Sequence, residues 1–412
     1  MILLHVSTDS RTLGFVLQQM LFMRDKGWEV HAMASPGDYG SGLKSYSISF
    51  HPIEMHPRIN PLGDLFSIAR MYRAMTRLRP TVVHAHTLKA GLIAMISATL
   101  AGVPIRIFHV HGLPHLAARG LKYRLLYLAT RVACGQAHRI FCVSHSIRQI
   151  LVDGHLCSAG KVVVPANGSC DGIEALERFN PAMTGHRVVN AVRQRFEIPE
   201  RSFVIAFVGR LVLHKGLVEL GKAWILLRSR HPGLHLLIVG DFESQDPVPP
   251  DTLEMFRADP RVRMTGLCQN MPELYGTVDL VVLPSHYEGF PTVLLEAAAM
   301  GLPAVATAIP GNVDAILDGV TGTLVPPFDA RALADAIAGY IESPELRRDH
   351  GLRARERVLR DFGAKPIREF IHSDYAGMLS RRGLRLPAPV PVPRSEGEPA
   401  ASDDALRTAD LA

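Results

Sequence analysis

The chain has 412 residues, 47% hydrophobic and 20% charged, with a net charge of +6 and a pI near 9.1. That is too long for one ordinary core, so two domains are expected, and too apolar for a disordered chain. Five scattered cysteines without a C-x-x-C pair exclude a zinc ribbon and a disulfide framework and point to a reducing compartment.

The opening Met1-Ile-Leu-Leu-His-Val-Ser7 lacks a basic region ahead of its apolar run, so it reads as a buried strand, not a signal peptide. Strand-like runs follow at residues 3–7, 29–32, 81–84, 105–110, 139–143 and 162–164, and helix-like runs at 13–26, 62–78, 88–100, 116–133 and 145–152. This alternation predicts right-handed βαβ crossovers and a doubly wound parallel sheet. The long uncharged stretch 90–105 is about one turn too short to span a bilayer. It also contains Gly102-Val-Pro104, which ends a helix before the next strand.

Between Met55 and Val152 there are thirteen lysines and arginines and one acid, Asp64. A field of one sign attracts anions, whether phosphates, acidic lipid or nucleic acid. No helix-turn-helix, RNP-like or zinc-finger pattern accompanies the charge, so nucleic acid is not an expected partner. In the run 116–133, Leu121, Leu125, Leu128 and Val132 form a stripe expected to pack on the sheet. Arg119, Lys122, Arg124 and Arg131 lie off that stripe, where they can touch anionic lipid.

Asn180-Pro-Ala-Met-Thr-Gly-His186 reads as a linker before a fresh series of strands at 203–208, 234–239, 262–264, 280–283 and 304–306. The sequence therefore predicts an α/β protein with two Rossmann-like domains in tandem and a cleft between them. Helical runs at 331–341, 344–362 and 365–379 close the folded part. From Leu386 a Pro-rich run passes into a Ser/Glu/Asp/Ala mixture that cannot bury apolar area.

The chemistry concentrates in the second half. Phe203-Val-Ile-Ala-Phe-Val-Gly209 is an apolar strand ending in a glycine that permits close backbone approach, and Arg210 and Lys215 follow on a short loop. Two cations at a strand end can neutralise a diphosphate leaving group. Further on, Ser285-His-Tyr-Glu-Gly-Phe-Pro-Thr-Val-Leu-Leu-Glu296 places Glu288 and Glu296 on either side of a turn and a helix start. Free N–H groups there suit phosphate, and carboxylates suit sugar hydroxyls. A sugar joined to a diphosphate satisfies both preferences.

Gly209-Arg210 with Lys215-Gly216, then Glu288-Gly-Phe-Pro with Glu296 eight residues on, resembles the retaining glycosyltransferases of family 4, which adopt the GT-B fold. His84-Ala-His-Thr-Leu-Lys-Ala-Gly91, Ala101-Gly-Val-Pro104, His109-Val-His-Gly112 and Phe141-Cys-Val-Ser144 agree with it. Ser7-Thr-Asp-Ser10 and Asn167-Gly-Ser169 are most similar to the capsular and surface polysaccharide transferases. The resemblance covers about residues 1–380 and implies an acceptor-binding domain over 1–182 and a nucleotide-sugar domain over 183–363. It also implies a helix over 364–382 packing back toward the first domain, ahead of a disordered tail over 383–412.

It further implies that Arg210 and Lys215 bind the donor diphosphate. Glu288 would lie under the sugar ring, with Gly209, Gly289, Phe290 and Thr292 nearby. Glu296 would accept from the ribose hydroxyls, and His111 would contact the sugar near the reacting carbon. Gly14 falls in the first βα loop, where many relatives carry a Gly-Gly pair, but here the loop reads Ser10-Arg-Thr-Leu-Gly-Phe15, so Arg11 or Thr12 is the candidate substitute.

His84, His86, His109, His111 and His115 invite comparison with a zinc site, which needs three or four converging ligands. The surrounding hundred residues offer only Asp64 as an acid, so the expectation is sheet-edge histidines with His111 facing ligand, and no metal or other cofactor.

The implied reaction moves a hexose or N-acetylhexosamine, with retention, from a UDP-linked donor to a polyprenyl-diphosphate-linked saccharide. It would take place in the cytoplasm, peripherally on the inner membrane face. A soluble small acceptor, an acceptor-free epimerase and a non-catalytic nucleotide-sugar-binding subunit are the competing readings.

Overall fold

A computed structural model describes residues 1–56, 58–243 and 246–388. Most of the expected Pro-rich tail therefore lies outside the described residues. The described residues divide into two compact units, 1–171 together with 365–388, and Gly172–Ala364. The stretch 180–186 carries a short 3-10 turn and leads into a helix, His186–Arg195, absent from the sequence expectation.

The first unit holds β1 (Ile2–Asp9), β2 (Glu29–Ser35), β3 (Ser49–Pro52), β4 (Val82–His86), β5 (Ile105–Val110), β6 (Arg139–Cys142) and β7 (Val162–Val163) in the order β3-β2-β1-β4-β5-β6-β7. The second holds β8 (Phe203–Val208), β9 (Leu234–Val239), β10 (Val262–Gly266), β11 (Leu280–Leu283), β12 (Ala304–Thr307) and β13 (Gly322–Val325) in the order β10-β9-β8-β11-β12-β13. Pairing between these strands is parallel throughout. Each sheet is thus doubly wound, with its order reversing between β1 and β4 and between β8 and β11. β3 and β13 were not anticipated: both are edge strands whose sequences, Ser-Phe-His-Pro and Gly-Thr-Leu-Val, lack a continuous apolar run.

Side chains alternate across a strand, so the first sheet buries two different layers. Leu4, Val6, Val83, Ala85, Phe108 and Val110 join one core with residues of helices Pro61–Leu78, Leu88–Leu100 and Gly120–Gln136. Leu3, Val82, Ile105 and Ile107 join the other, with Leu17 and Met20 of helix Leu17–Asp25 and Ile367, Ile371 and Tyr375 of the last helix, Ala364–Ser380. That last helix returns to the first unit and is fixed there by polar contacts. Arg139 donates to both oxygens of Asp374 at 2.9 Å, and Arg368 donates to Asp171 at 2.9 and 2.7 Å.

Two expectations are corrected here. Helix Gly120–Gln136 does not lay its leucine stripe on the sheet: Leu121 is 72% exposed and Leu125 and Leu128 are also exposed. Every residue from Leu121 to Leu125 faces solvent, and the buried positions are Thr130, Ala133 and Cys134, so only the C-terminal half of the helix is seated on the core.

The histidines, in turn, are not at a sheet edge. His5, His84, His86 and His109 are buried on one face, with His5 opposite His84 and His86 opposite His109 in register. The Tyr375 hydroxyl lies 2.6 Å from His84 Nδ1.

Burial pushes His5 down to about 3, and it holds His84, His86 and His109 well below the ordinary imidazole value, with neighbouring rings adding to the effect. Below pH 6.5 the unfolded chain binds protons that the folded chain refuses, so stability falls as pH falls from 6.5 toward those folded values. Each ring contributes up to about 1.4 kcal/mol per pH unit in that window. Thermal unfolding followed by circular dichroism is expected to show a midpoint roughly 10–20 °C lower at pH 5.5 than at pH 7.5.

Candidate functional site

In open α/β sheets ligands bind beyond the strand carboxyl ends where the strand order reverses. In the second unit that point is the neighbouring pair β8 and β11. Gly209 follows β8 at φ +151° and Gly240 follows β9 at φ +136°. A Cβ on Gly240 would strike the Gly209 carbonyl oxygen, so glycine there lets the two turns close up.

Gly216, at φ +78°, likewise has the Pro284 carbonyl oxygen where a Cβ would sit. The His286 backbone N–H donates to the His214 carbonyl at 2.8 Å. The loop after β8 is therefore stitched to the loop after β11.

That stitching sets the charged groups. Lys215 Nζ lies 2.6 Å from Glu288 Oε1, with the side chains only 15% and 10% exposed. Arg210 Nη1 lies 2.7 Å from Glu243 Oε2 in a more open position.

Beside them, the backbone N–H of His214 donates to Asp246 at 3.0 Å, its Nδ1 approaches the same oxygen at 2.6 Å, and its ring stacks on Tyr287 at 4.5 Å. Burial lowers the His214 value, Lys215 and Arg210 lower it further, and the pull of Asp246 does not reverse this. The Asp246 carboxyl is raised by burial, but the two His214 contacts outweigh that and leave it below its ordinary value.

Both cations expected from the sequence thus come with carboxylate partners. Glu243, His214, Asp246 and Tyr287 were missed by sequence reasoning. The acid cluster Asp241-Phe-Glu243 directly after an apolar strand was the available signal.

The helix Thr292–Ala299 carries Glu296, which accepts a 2.9 Å hydrogen bond from the buried Tyr275 hydroxyl. Burial, then the Glu296 charge, pushes the Tyr275 phenol well up, so it stays a donor. Gly289 is approached by Gly311, at φ +84°, so closely that a Cβ on Gly311 would meet the Gly289 carbonyl oxygen. Phe290 packs on Phe362 with ring centroids 5.4 Å apart. Gly209, Arg210, Lys215, Glu288, Gly289, Phe290, Thr292 and Glu296 therefore all belong to the second unit.

Gly14 and His111 belong to the first unit. Gly14 lies in the 3-10 turn Arg11–Val16. In that turn the Thr12 hydroxyl donates to the Asp9 carbonyl at 2.7 Å, and the Arg11 N–H donates to the Asp9 carboxylate at 2.8 Å. His111 follows β5 directly, partly exposed, with Nε2 3.0 Å from His86 Nδ1. Two trios, His5/His84/His86 and His86/His109/His111, bring ring nitrogens within 4.8 Å of one another, close enough for a metal ion. Neither trio includes a carboxylate or thiolate, so a cation would enter this buried face with its charge uncompensated.

Comparison with known proteins agrees with this architecture. Residues 15–168 match the glycosyl transferase 4-like domain, and residues 188–357 match the glycosyl transferases group 1. The chain is 30% identical over 373 residues to the capsular polysaccharide biosynthesis glycosyltransferase CapM of Staphylococcus aureus, covering 90% of this chain and 96% of the relative.

It is 26% identical over 291 residues to the UDP-Gal:alpha-D-GlcNAc-diphosphoundecaprenol alpha-1,3-galactosyltransferase of Escherichia coli, covering 70% of this chain and 73% of the relative. The fold also superposes on HepE of Anabaena, solved in complex with UDP-glucose. There the TM-score is 0.75 at 20% identity over 92% of this chain and 100% of that one.

Removing the Lys215 ammonium strands a nearly buried carboxylate. Lys215→Met is expected to cost about 3 kcal/mol in urea unfolding, and adding Glu288→Gln to it is expected to recover at least half of that loss.

Proposed function

The chain belongs to the GT-B glycosyltransferases of family 4, the group 1 glycosyl transferases, and we propose that it moves a hexose or N-acetylhexosamine from a UDP-sugar to a polyprenyl-diphosphate-linked saccharide. The observation that carries the reading is the gathering of Arg210, Lys215 and Glu288 at the carboxyl ends of β8 and β11, inside 2.6–2.7 Å ion pairs that fix their orientation.

In this reading Arg210 and Lys215 hold the donor diphosphate and stabilise the charge that grows on it as the glycosidic bond breaks. Glu288, held by Lys215, faces the sugar ring and stabilises its oxocarbenium-like character. Glu296, oriented by Tyr275, accepts from the ribose hydroxyls. His111 contacts the sugar from the first unit. The leaving phosphate takes the acceptor's proton on the face it departs from, so configuration is retained. The two cations supply the neutralisation that a divalent ion would otherwise provide. The galactosyltransferase relative, named for a diphosphoundecaprenol acceptor, supports the lipid-linked substrate, and the capsular relative supports a role in surface polysaccharide synthesis.

Among the described residues no helix is long and apolar enough to cross a membrane. A lipid acceptor would instead be met at a surface. Leu62, Leu65 and Phe66 of helix Pro61–Leu78 and Leu121, Leu125 and Leu128 of helix Gly120–Gln136 are exposed. These helices flank Leu88–Leu100 and carry Arg70, Arg73, Arg77, Lys122, Arg124 and Arg131. Each cation near anionic lipid contributes about 1 kcal/mol, and each inserted large apolar side chain about 1.5–3 kcal/mol more. That combination supports reversible attachment to the inner face of the cytoplasmic membrane.

Two measurements test the proposal. In a hydrolysis screen of UDP- and GDP-sugars, one donor is expected to turn over, and Glu288→Ala and Arg210→Ala are each expected to slow it about a hundredfold or more. A protein that binds no nucleotide sugar would sink the reading. In flotation with phosphatidylglycerol vesicles, Phe66→Ser with Leu121→Ser is expected to weaken binding at least about tenfold, without changing hydrolysis of the soluble donor.

A further inference from the structure

The buried histidines form a connected line that ends at the partly exposed His111. His5 Nδ1 lies 3.0 Å from His86 Nε2, and His86 Nδ1 lies 3.0 Å from His111 Nε2. The His5 and His86 rings are stacked, at a centroid distance of 5.3 Å and an interplanar angle of 6°. β1 and β4 set this line by pairing His5 with His84, and β4 and β5 by pairing His86 with His109.

A neutral imidazole has one N–H and one bare nitrogen, so each link in the line fixes the next. The line therefore has two states. In one, every ring donates outward: His5 Nδ1–H to His86, His86 Nδ1–H to His111, leaving Nδ1–H on His111. In the other, every ring donates inward, and the last N–H sits on His5 Nε2. Among the described residues His5 Nε2 is buried with no hydrogen-bond partner. A buried N–H without an acceptor is the rarer and costlier arrangement. The outward state is therefore favoured.

We infer that His5 and His86 are positioning residues which lock His111 in the tautomer with Nδ1–H and a bare Nε2, so that a partly exposed N–H donor is presented to an oxygen of the bound sugar. The placement of His111 at the sugar rests on the function proposed above, but the tautomer does not. Burial keeps all three rings neutral near pH 7, His111 being pushed down to about 4, so no proton need be added or removed for the line to hold. For His5, His86 and His111 a metal ion is a poorer account, because their facing nitrogens stand at hydrogen-bonding distance, 3.0 Å.

The test is an imidazole ¹⁵N–¹H correlation spectrum of the full chain labelled at histidine, with His111 assigned by its loss in His111→Gln. Wild type is expected to show His111 protonated at Nδ1, the minor tautomer of free histidine. His86→Phe is expected to release it to Nε2–H and slow donor hydrolysis about tenfold. His86→Asn, whose amide nitrogen stands where Nδ1 stood, is expected to keep both tautomer and rate. Melting temperatures of the two variants, matched within a few degrees, exclude misfolding as the cause.

An Nε2–H His111 in wild type, an unchanged spectrum in His86→Phe, or a stoichiometric metal ion lost in His86→Phe would each overturn the inference. If His111→Ala hydrolyses donor at the wild-type rate, the placement at the sugar fails, and the spectrum alone then decides the histidine line.

Discussion

Parallel pairing is the constraint from which the rest of this protein follows. Strands running the same way put all their carboxyl ends on one edge of a sheet, and a reversal of strand order sends the neighbouring loops to opposite faces. In the second unit the reversal falls between β8 and β11, and the loops leaving them carry Arg210, Lys215 and Glu288. Glycines at 216, 240 and 311 then let those loops and their neighbours approach to distances that a side chain there would forbid. The charges come together because the backbone beneath them can.

Charge is handled differently in the two units. The second meets its cations with carboxylates, Lys215 with Glu288 and Arg210 with Glu243, so neither sign is left alone in a partly buried place. The first buries imidazoles and keeps them neutral, and they pair with one another and with Tyr375. The paired charges of the second unit suit contact with a charged ligand. The neutral imidazoles of the first unit suit holding a hydrogen-bonding group in a fixed orientation.

Much of this was legible in the sequence, for identifiable reasons. Apolar runs such as Phe203–Val208 and Leu234–Val239 are buried on both faces, so they read as central parallel strands without help. Ser49–Pro52 and Gly322–Val325 were not legible, because Ser-Phe-His-Pro and Gly-Thr-Leu-Val offer no continuous apolar run.

Lys215 and Glu288 were recognisable by motif, but their direct pairing was not, since it depends on how Gly216 lies against Pro284. The leucines of helix Gly120–Gln136 had the right spacing to face a core. Spacing says which residues share a face, not whether the helix extends beyond what it packs on. The histidine line needed the register of three strands, which no local pattern encodes.

The return of the last helix has a consequence for how the molecule is made. The chain crosses between the units twice, near residues 171 and 364, so the second unit is in effect an insertion within the first. Synthesis proceeds from the N-terminus, and the second unit is complete while the first still lacks Ala364–Ser380. Until that helix emerges, the face of the sheet that holds His5, His84 and His109 has no Ile367, Ile371 or Tyr375 to cover it. The unit whose residues come first on the ribosome is therefore the last to close, and Tyr375 reaches His84 only after the whole second unit has been made.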